Sequence, residues 1–144
     1  MSALTCVRPA AGGRPWVFLP FAGGNGDWYR TWADHLPPGD GLWVADLPGR
    51  ARRSLEHPEP DPRRVVTELV VDLDGVPDSP VLFGHSLGGM LAHAVAHAVE
   101  EAGRDVAAVV VSGARPPDGT LEVTDLSDAA LVDQLVEHGG TPPE

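Results

Sequence analysis

Gly84-His85-Ser86-Leu87-Gly88 is the stretch of this chain whose residue types and spacing could carry out chemistry. It follows the apolar run Pro80-Val81-Leu82-Phe83 and opens a helix-favouring stretch from Leu87 to Ala102. Strand, tight turn and helix are the setting that a G-x-S-x-G nucleophile elbow requires. Such a turn forces Ser86 into a strained backbone conformation with its hydroxyl at the top of a sheet. Glycine at 84 and 88 lets strand and helix pack closely where a Cβ would obstruct them. The helix N-terminus points free N–H groups and positive dipole at the reaction centre, so the Leu87 N–H is a candidate oxyanion donor. The chain contains 17 glycines, so the bland alternative is a chance match. The flanking strand and helix argue against it.

A nucleophilic serine needs a second oxyanion donor and a base. The glycine loop Phe21-Ala22-Gly23-Gly24 follows an earlier apolar run, and its backbone could approach a substrate closely. Ala22 is assigned as that donor, with Phe21 as the alternative. The base is harder to find. His93 and His97 share one face of the helix after the elbow at i, i+4 spacing, which can suit a metal, but no third ligand accompanies them. His85 sits inside the elbow, where a structural role is expected. His138 ends an amphipathic helix with no strand before it, and Asp118 follows the last apolar run without lying at its end. Neither convincingly supplies the missing partner. No residue set asks for a cofactor or a metal, and the lone Cys6 is expected to be inert.

The elements that must position Ser86 read as alternating strands and helices. A first edge strand is expected at Leu4 to Val7, then a strand at Trp16–Phe21 and a helix at Trp28–Leu36, with Asp27 as its N-cap or first-turn acid. A second strand covers Leu42–Leu47. Asp61-Pro62 opens a helix running to about Asp74, with proline at the first helical position. Pro80–Gly84 is the third strand, and Gly103 ends the helix that follows it. Val106–Val111 is a fourth, fully apolar strand, and a last amphipathic helix is expected over Ser127–Glu137. Unbroken apolar strands alternating with helices predict a parallel sheet with helices on both faces.

A chain of 144 residues, 42% hydrophobic and 22% charged, fits one globular domain. Its net charge of −11 argues against nucleic-acid binding, which wants a basic face. The cations are uneven, however: Arg50, Arg52, Arg53, Arg63 and Arg64 cluster between two strands. They make either a solvated patch or a docking site for an acidic partner. A single cysteine fits a reducing compartment. With no signal-peptide pattern and no membrane-length apolar stretch, the expectation is a cytoplasmic protein with no membrane partner.

Several segments match one family in order. They are Phe18-Leu19-Pro20-Phe21-Ala22-Gly23-Gly24, Tyr29-Arg30-Thr31-Trp32, Leu47-Pro48-Gly49-Arg50, Gly84-His85-Ser86-Leu87-Gly88-Gly89 and Ser112-Gly113-Ala114-Arg115-Pro116-Pro117. The set resembles the type II thioesterases of polyketide and non-ribosomal peptide biosynthesis, members of the α/β-hydrolase superfamily. The resemblance implies an α/β-hydrolase fold, with residues 1–117 as core and 118–144 as the start of a lid. It implies hydrolysis of acyl groups from the phosphopantetheine arm of an acyl or peptidyl carrier protein, an acidic partner that would suit the Arg50–Arg64 cluster. Ser86 would be the nucleophile, with Leu87 and Ala22 as oxyanion donors. That family's acid and histidine lie after the lid, on strands this chain does not contain. The expectation is therefore a C-terminally incomplete hydrolase. The alternatives are a catalytically dead carrier-binding module and a general esterase or lipase.

Overall fold

The computed structural model describes residues 1–115. Each apolar run in that range forms a strand: β1 (Leu4–Arg8), β2 (Pro15–Leu19), β3 (Gly41–Ala45), β4 (Val81–His85) and β5 (Ala108–Ser112). They make one sheet in the order β1-β3-β2-β4-β5. Two α-helices, α1 (Pro62–Asp72) and α2 (Leu87–Glu101), accompany them, with a long 3-10 helix over Gly26–His35. The helix expected over 127–137 lies outside the described residues, as do Asp118 and His138.

β2, β3, β4 and β5 run parallel, but β1 pairs antiparallel with β3. The parallel sheet expected from the sequence holds for β2 to β5, and the edge strand β1 makes the whole sheet mixed. The reason is chain length. A parallel return needs a crossover of a dozen or more residues. The linker from Arg8 to Pro15 is far shorter, so β1 lies against β3 in the opposite sense. The linker instead forms a tight connection, in which Ala11 and Gly13 donate to the Gly39 carbonyl at 2.8 and 3.0 Å.

Strand alternation sends side chains to two cores. Val17, Leu19, Trp43, Ala45 and Leu82 face α1 and α2, meeting Val65, Leu69, Leu91, Val95 and Val99. Phe18, Leu42 and Val44 face the 3-10 helix and meet its Tyr29 and Ala33. Helices therefore cover both faces, as the apolar strands predict. Of the two unlike helices, α1 begins as its sequence suggests, with Asp61 accepting from the Arg63 N–H and Pro62 in the first turn. The helix expected at Trp28 starts earlier and winds more tightly. Its cap is Asn25, whose side chain accepts from the Asp27 N–H at 2.9 Å; Asp27 is a first-turn acid.

One buried carboxylate stitches the start of β2 to the turn before β3. Asp40 accepts from the Arg14 N–H and the Trp16 indole N–H, both at 2.8 Å. The Trp16 bond first, then the Arg14 N–H, holds its pKa below the ordinary carboxylate value. A depressed folded-state pKa gives stability that is present above the unfolded value and lost as pH falls through the folded one. Melting temperature should therefore drop with acidification below about pH 4. Asp40→Asn should have a lower melting point at neutral pH and a shallower acid slope, read by circular dichroism melts from pH 7 to pH 2.

Candidate active site

The carboxyl ends of the parallel strands share one edge of the sheet, and the loops leaving them form a rim. The Phe21–Gly24 loop follows β2, the Leu47–Pro60 loop follows β3, Ser86 follows β4, and Gly113 follows β5. Open α/β sheets place their ligands at this edge.

Ser86 joins β4 directly to α2 with φ +53° and ψ −120°. A non-glycine residue rarely adopts this backbone, and holding it there requires a surround that over-determines it. Three contacts supply that surround. The Ser86 N–H donates to the Ser112 carbonyl of β5 at 2.8 Å. A Cβ on Gly84 would collide with the Gly88 carbonyl, and one on Gly88 with the Leu19 carbonyl of β2. Strand and helix thus approach as closely as two backbones can. Gly89 is the third tight point, where a Cβ would meet Val111 Cγ1 at 2.9 Å and Ala114 Cβ at 3.1 Å. Leu87 is the first residue of α2, so its N–H has no intrahelical acceptor.

The glycine loop after β2 is a tight turn. Phe21 O accepts from Gly24 N at 2.9 Å, and Gly23 takes φ +79° at the third position. Positive φ there, with none at Ala22, is the type II pattern, and glycine is what allows it. The turn leaves the Ala22 N–H without a partner among the described residues. Leu87 and Ala22 therefore both carry unengaged backbone donors on the same rim as Ser86.

His85 does not turn toward Ser86. By strand alternation it shares the Phe83 face. Its Nδ1 lies 3.0 Å from Ser112 Oγ, and its ring packs edge-on to Phe21. Among the described residues no histidine is hydrogen-bonded to Ser86. His93 and His97 are exposed on α2, and His97 lies 3.6 Å from Glu101 across one helical turn. No group of three or more metal-ligating side chains exists among the described residues. Cys6 lies on the edge strand β1, and partial burial raises its thiol pKa.

Two features escaped the sequence. The first is an aromatic cavity of about 250 Å³ beside the elbow, lined by Phe21, Trp28, Tyr29, Trp32, Phe83 and His85, with Ser112 at its edge. Phe18 packs against two of these rings, 4.6 Å from Phe83 and 5.3 Å from Tyr29 between ring centroids. The aromatic spacing in Trp28-Tyr29-…-Trp32 was visible, but its union with Phe83 is long-range. The second is an ionic hub under the rim. Asp46, 1% exposed, accepts from the Gly26 N–H at 2.8 Å and from Arg52 at 2.9 Å. Arg53, 3% exposed, binds Glu56 at 2.5 Å, Glu68 at 2.6 Å and the Asp46 carbonyl at 3.2 Å. Those carboxylates, Glu56 foremost, push the Arg53 pKa up, and Arg53 in turn lowers that of Glu56. The five-arginine surface patch is corrected accordingly: Arg53 is a buried strut and Arg52 is paired inside the loop. A lone acid ending the apolar run Leu42–Ala45 was the available signal, since a buried carboxylate must find partners.

The chain matches the Thioesterase domain family over residues 14–144. It belongs to that family. Its relatives include "Probable cadicidin biosynthesis thioesterase" of Streptomyces griseus, 32% identical over 130 residues. That match covers 87% of this chain and 36% of the relative. The medium-chain S-acyl fatty acid synthase thioesterase of Anas platyrhynchos is 30% identical over 138 residues, covering 89% of this chain and 54% of the relative. Among solved structures, the type II thioesterase BorB from the borrelidin biosynthetic cluster superposes with a TM-score of 0.78 at 32% identity. It covers 100% of this chain, which spans 62% of BorB. RedJ, a thioesterase of the prodiginine pathway in Streptomyces coelicolor, gives 0.79 at 29% identity, with 92% of this chain and 52% of RedJ covered. The chain therefore spans roughly half the length of these relatives, and its fold is that of type II thioesterases of the α/β-hydrolase kind.

Two stability predictions follow from this geometry. Ser86→Gly removes the Cβ that the positive φ disfavours, and should stabilise by about 1 kcal/mol in urea melts. Tyr29 is 4% exposed, with its hydroxyl buried and unpaired among the described residues, and burial raises its pKa. Tyr29→Phe should stabilise by about 1–2 kcal/mol, because an unsatisfied buried hydroxyl forfeits its hydration.

Proposed function

We propose that this thioesterase supplies the nucleophile and oxyanion hole for hydrolysing an acyl thioester from the phosphopantetheine arm of an acyl or peptidyl carrier protein. The observation that carries the reading is Ser86 held at φ +53° at the N-terminus of α2, in a chain matching the Thioesterase domain family.

Ser86 Oγ attacks the thioester carbonyl carbon, and the carbonyl oxygen becomes an oxyanion. The N–H of Leu87, at the positive end of α2, and the N–H of Ala22 donate to that oxygen. Collapse of the tetrahedral adduct expels the pantetheine thiolate and leaves an acyl-Ser86 ester. Water then attacks the same carbonyl in the same hole, returning the hydroxyl to Ser86 and releasing the acid. A thiolate is a good leaving group, so protonating it matters less than protonating an amine. The aromatic cavity beside the elbow gives the acyl chain an apolar wall. A base is required to draw the proton from Ser86, and it must come from outside the described residues.

The experiment is labelling with a fluorophosphonate read by intact mass, followed by turnover of an acyl-pantetheine thioester and its oxygen-ester counterpart. One adduct should form, on Ser86 and absent in Ser86→Ala, and hydrolysis should fall at least 10³-fold in that variant. Absence of any adduct on folded protein would sink the nucleophile assignment. Preference for the oxygen ester would point to an esterase.

A further inference from the structure

Asp46 is engaged at every polar atom it has. Its N–H donates to the Ala3 carbonyl at 2.8 Å, and its carbonyl accepts from Arg53 Nη1 at 3.2 Å. Oδ1 accepts from the Gly26 N–H at 2.8 Å, and Oδ2 from Arg52 Nε at 2.9 Å. With 1% exposure, the residue is a fixed point just beyond the end of β3. A buried ion pair is seldom more stabilising than apolar side chains of the same volume. What this carboxylate adds is direction, because it fixes the donors that it accepts from.

One of those donors ends the loop that carries Ala22. The loop starts at the end of β2, where the Leu19 carbonyl lies against Gly88 of the elbow. Its start is therefore in register with Ser86. Its middle is closed by the Gly24 N–H, which donates to the Phe21 carbonyl at 2.9 Å. Its tip, Ala22 and Gly23, is exposed, and a Cβ added to Gly23 would meet nothing within 4 Å. The tip is thus held by the ends of the loop rather than by packing. The far end is Gly26, buried and pressed onto β3: a Cβ there would meet Val44 Cγ2 at 2.8 Å and Asp46 Oδ1 at 3.0 Å.

We infer that Asp46 is a positioning residue for the oxyanion hole: by holding Gly26, it sets where the Ala22 N–H points relative to Ser86. This rests on the hydrolase reading above, in which that N–H is the second oxyanion donor. A misplacement of about 1 Å in such a constellation costs on the order of 10²-fold in rate. Arg52 has a supporting part, since it neutralises the buried carboxylate and keeps Oδ1 turned toward Gly26.

The test uses the full chain and two readouts: the rate of fluorophosphonate labelling of Ser86, and amide exchange at Gly24 resolved by NMR. The Gly24 N–H closes the Ala22 turn and is not bonded to Asp46, so its exchange reports the loop rather than the deleted bond. Asp46→Ala should slow labelling about tenfold or more and speed Gly24 exchange by a similar factor. Asp46→Asn keeps an oxygen for the Gly26 N–H and should recover most of both losses. Leu69→Ala, in the core beside α1, should lower the melting temperature and leave the labelling rate at the wild-type value. Wild-type labelling in Asp46→Ala would overturn the proposal. So would equal slowing in Leu69→Ala at a matched loss of melting temperature, because stability would then explain the effect. If Asp46→Ala does not fold, Arg52→Ala decides, at a side chain 37% exposed. Both readouts should move in the same directions there, and wild-type values in both would overturn the proposal. A wild-type chain that forms no adduct would strike the nucleophile reading instead. Gly24 exchange then still decides whether Asp46 holds the loop, and no change in Asp46→Ala would refute it.

Discussion

The contact between β4 and α2 governs the rest of the molecule. Backbone meets backbone there: Gly84 lies against the Gly88 carbonyl, and Gly88 against the Leu19 carbonyl of β2. No side chain fits between them. The chain must therefore reverse within one residue, and Ser86 takes the positive φ that the reversal demands. The same closeness brings the start of α2 over the sheet edge, where its first N–H groups have nothing to bond within the helix. Strain at Ser86, a Leu87 N–H with no intrahelical acceptor and the place of Ser86 at the sheet edge thus share one steric cause. The neighbouring strands brace it from both sides, β2 through Leu19 and β5 through the Ser112 carbonyl and Val111.

A second constraint is electrostatic and organises the rim. Asp46 is buried where β3 ends, and a buried carboxylate without partners would be costly. Its two oxygens are met by the Gly26 N–H at the entrance to the 3-10 helix and by Arg52 in the following loop. One side chain therefore couples the loop after β2 to the loop after β3. Arg53 extends the coupling to α1 through Glu68. These loops would otherwise be the mobile part of an α/β sheet. Here they are tied to the scaffold, so the Ala22 turn and the aromatic cavity have defined positions relative to Ser86.

Much of this was legible before the structure. The apolar runs became strands, Asp61-Pro62 opened α1, Gly103 closed α2 with φ +74°, and the elbow lies between β4 and α2. Each depends on local physics, such as apolar continuity, cap chemistry or a glycine's tolerance of positive φ. The failures share the opposite character. The direction of β1 depended on which strand a short linker could reach. The helix expected at Trp28 begins at Gly26, drawn in by Asp46 twenty residues later, which makes Asn25 the cap and leaves Asp27 in the first turn, one of its two expected roles. The arginine cluster looked uniform in sequence, yet the fold sorted it into a buried strut, an internal pair and exposed cations.

The sequence by itself therefore determined the alternating strand and helix plan, the family and the place of Ser86, because adjacent residues encode those features. Tertiary structure alone decided which arginines are buried or paired, which aromatic rings enclose a cavity, and that His85 engages Ser112 rather than Ser86. The physical reason is pairing across distance. Burial, charge neutralisation and ring packing are properties of side chains that the sheet brings together, and strand order β1-β3-β2-β4-β5 sets which ones meet.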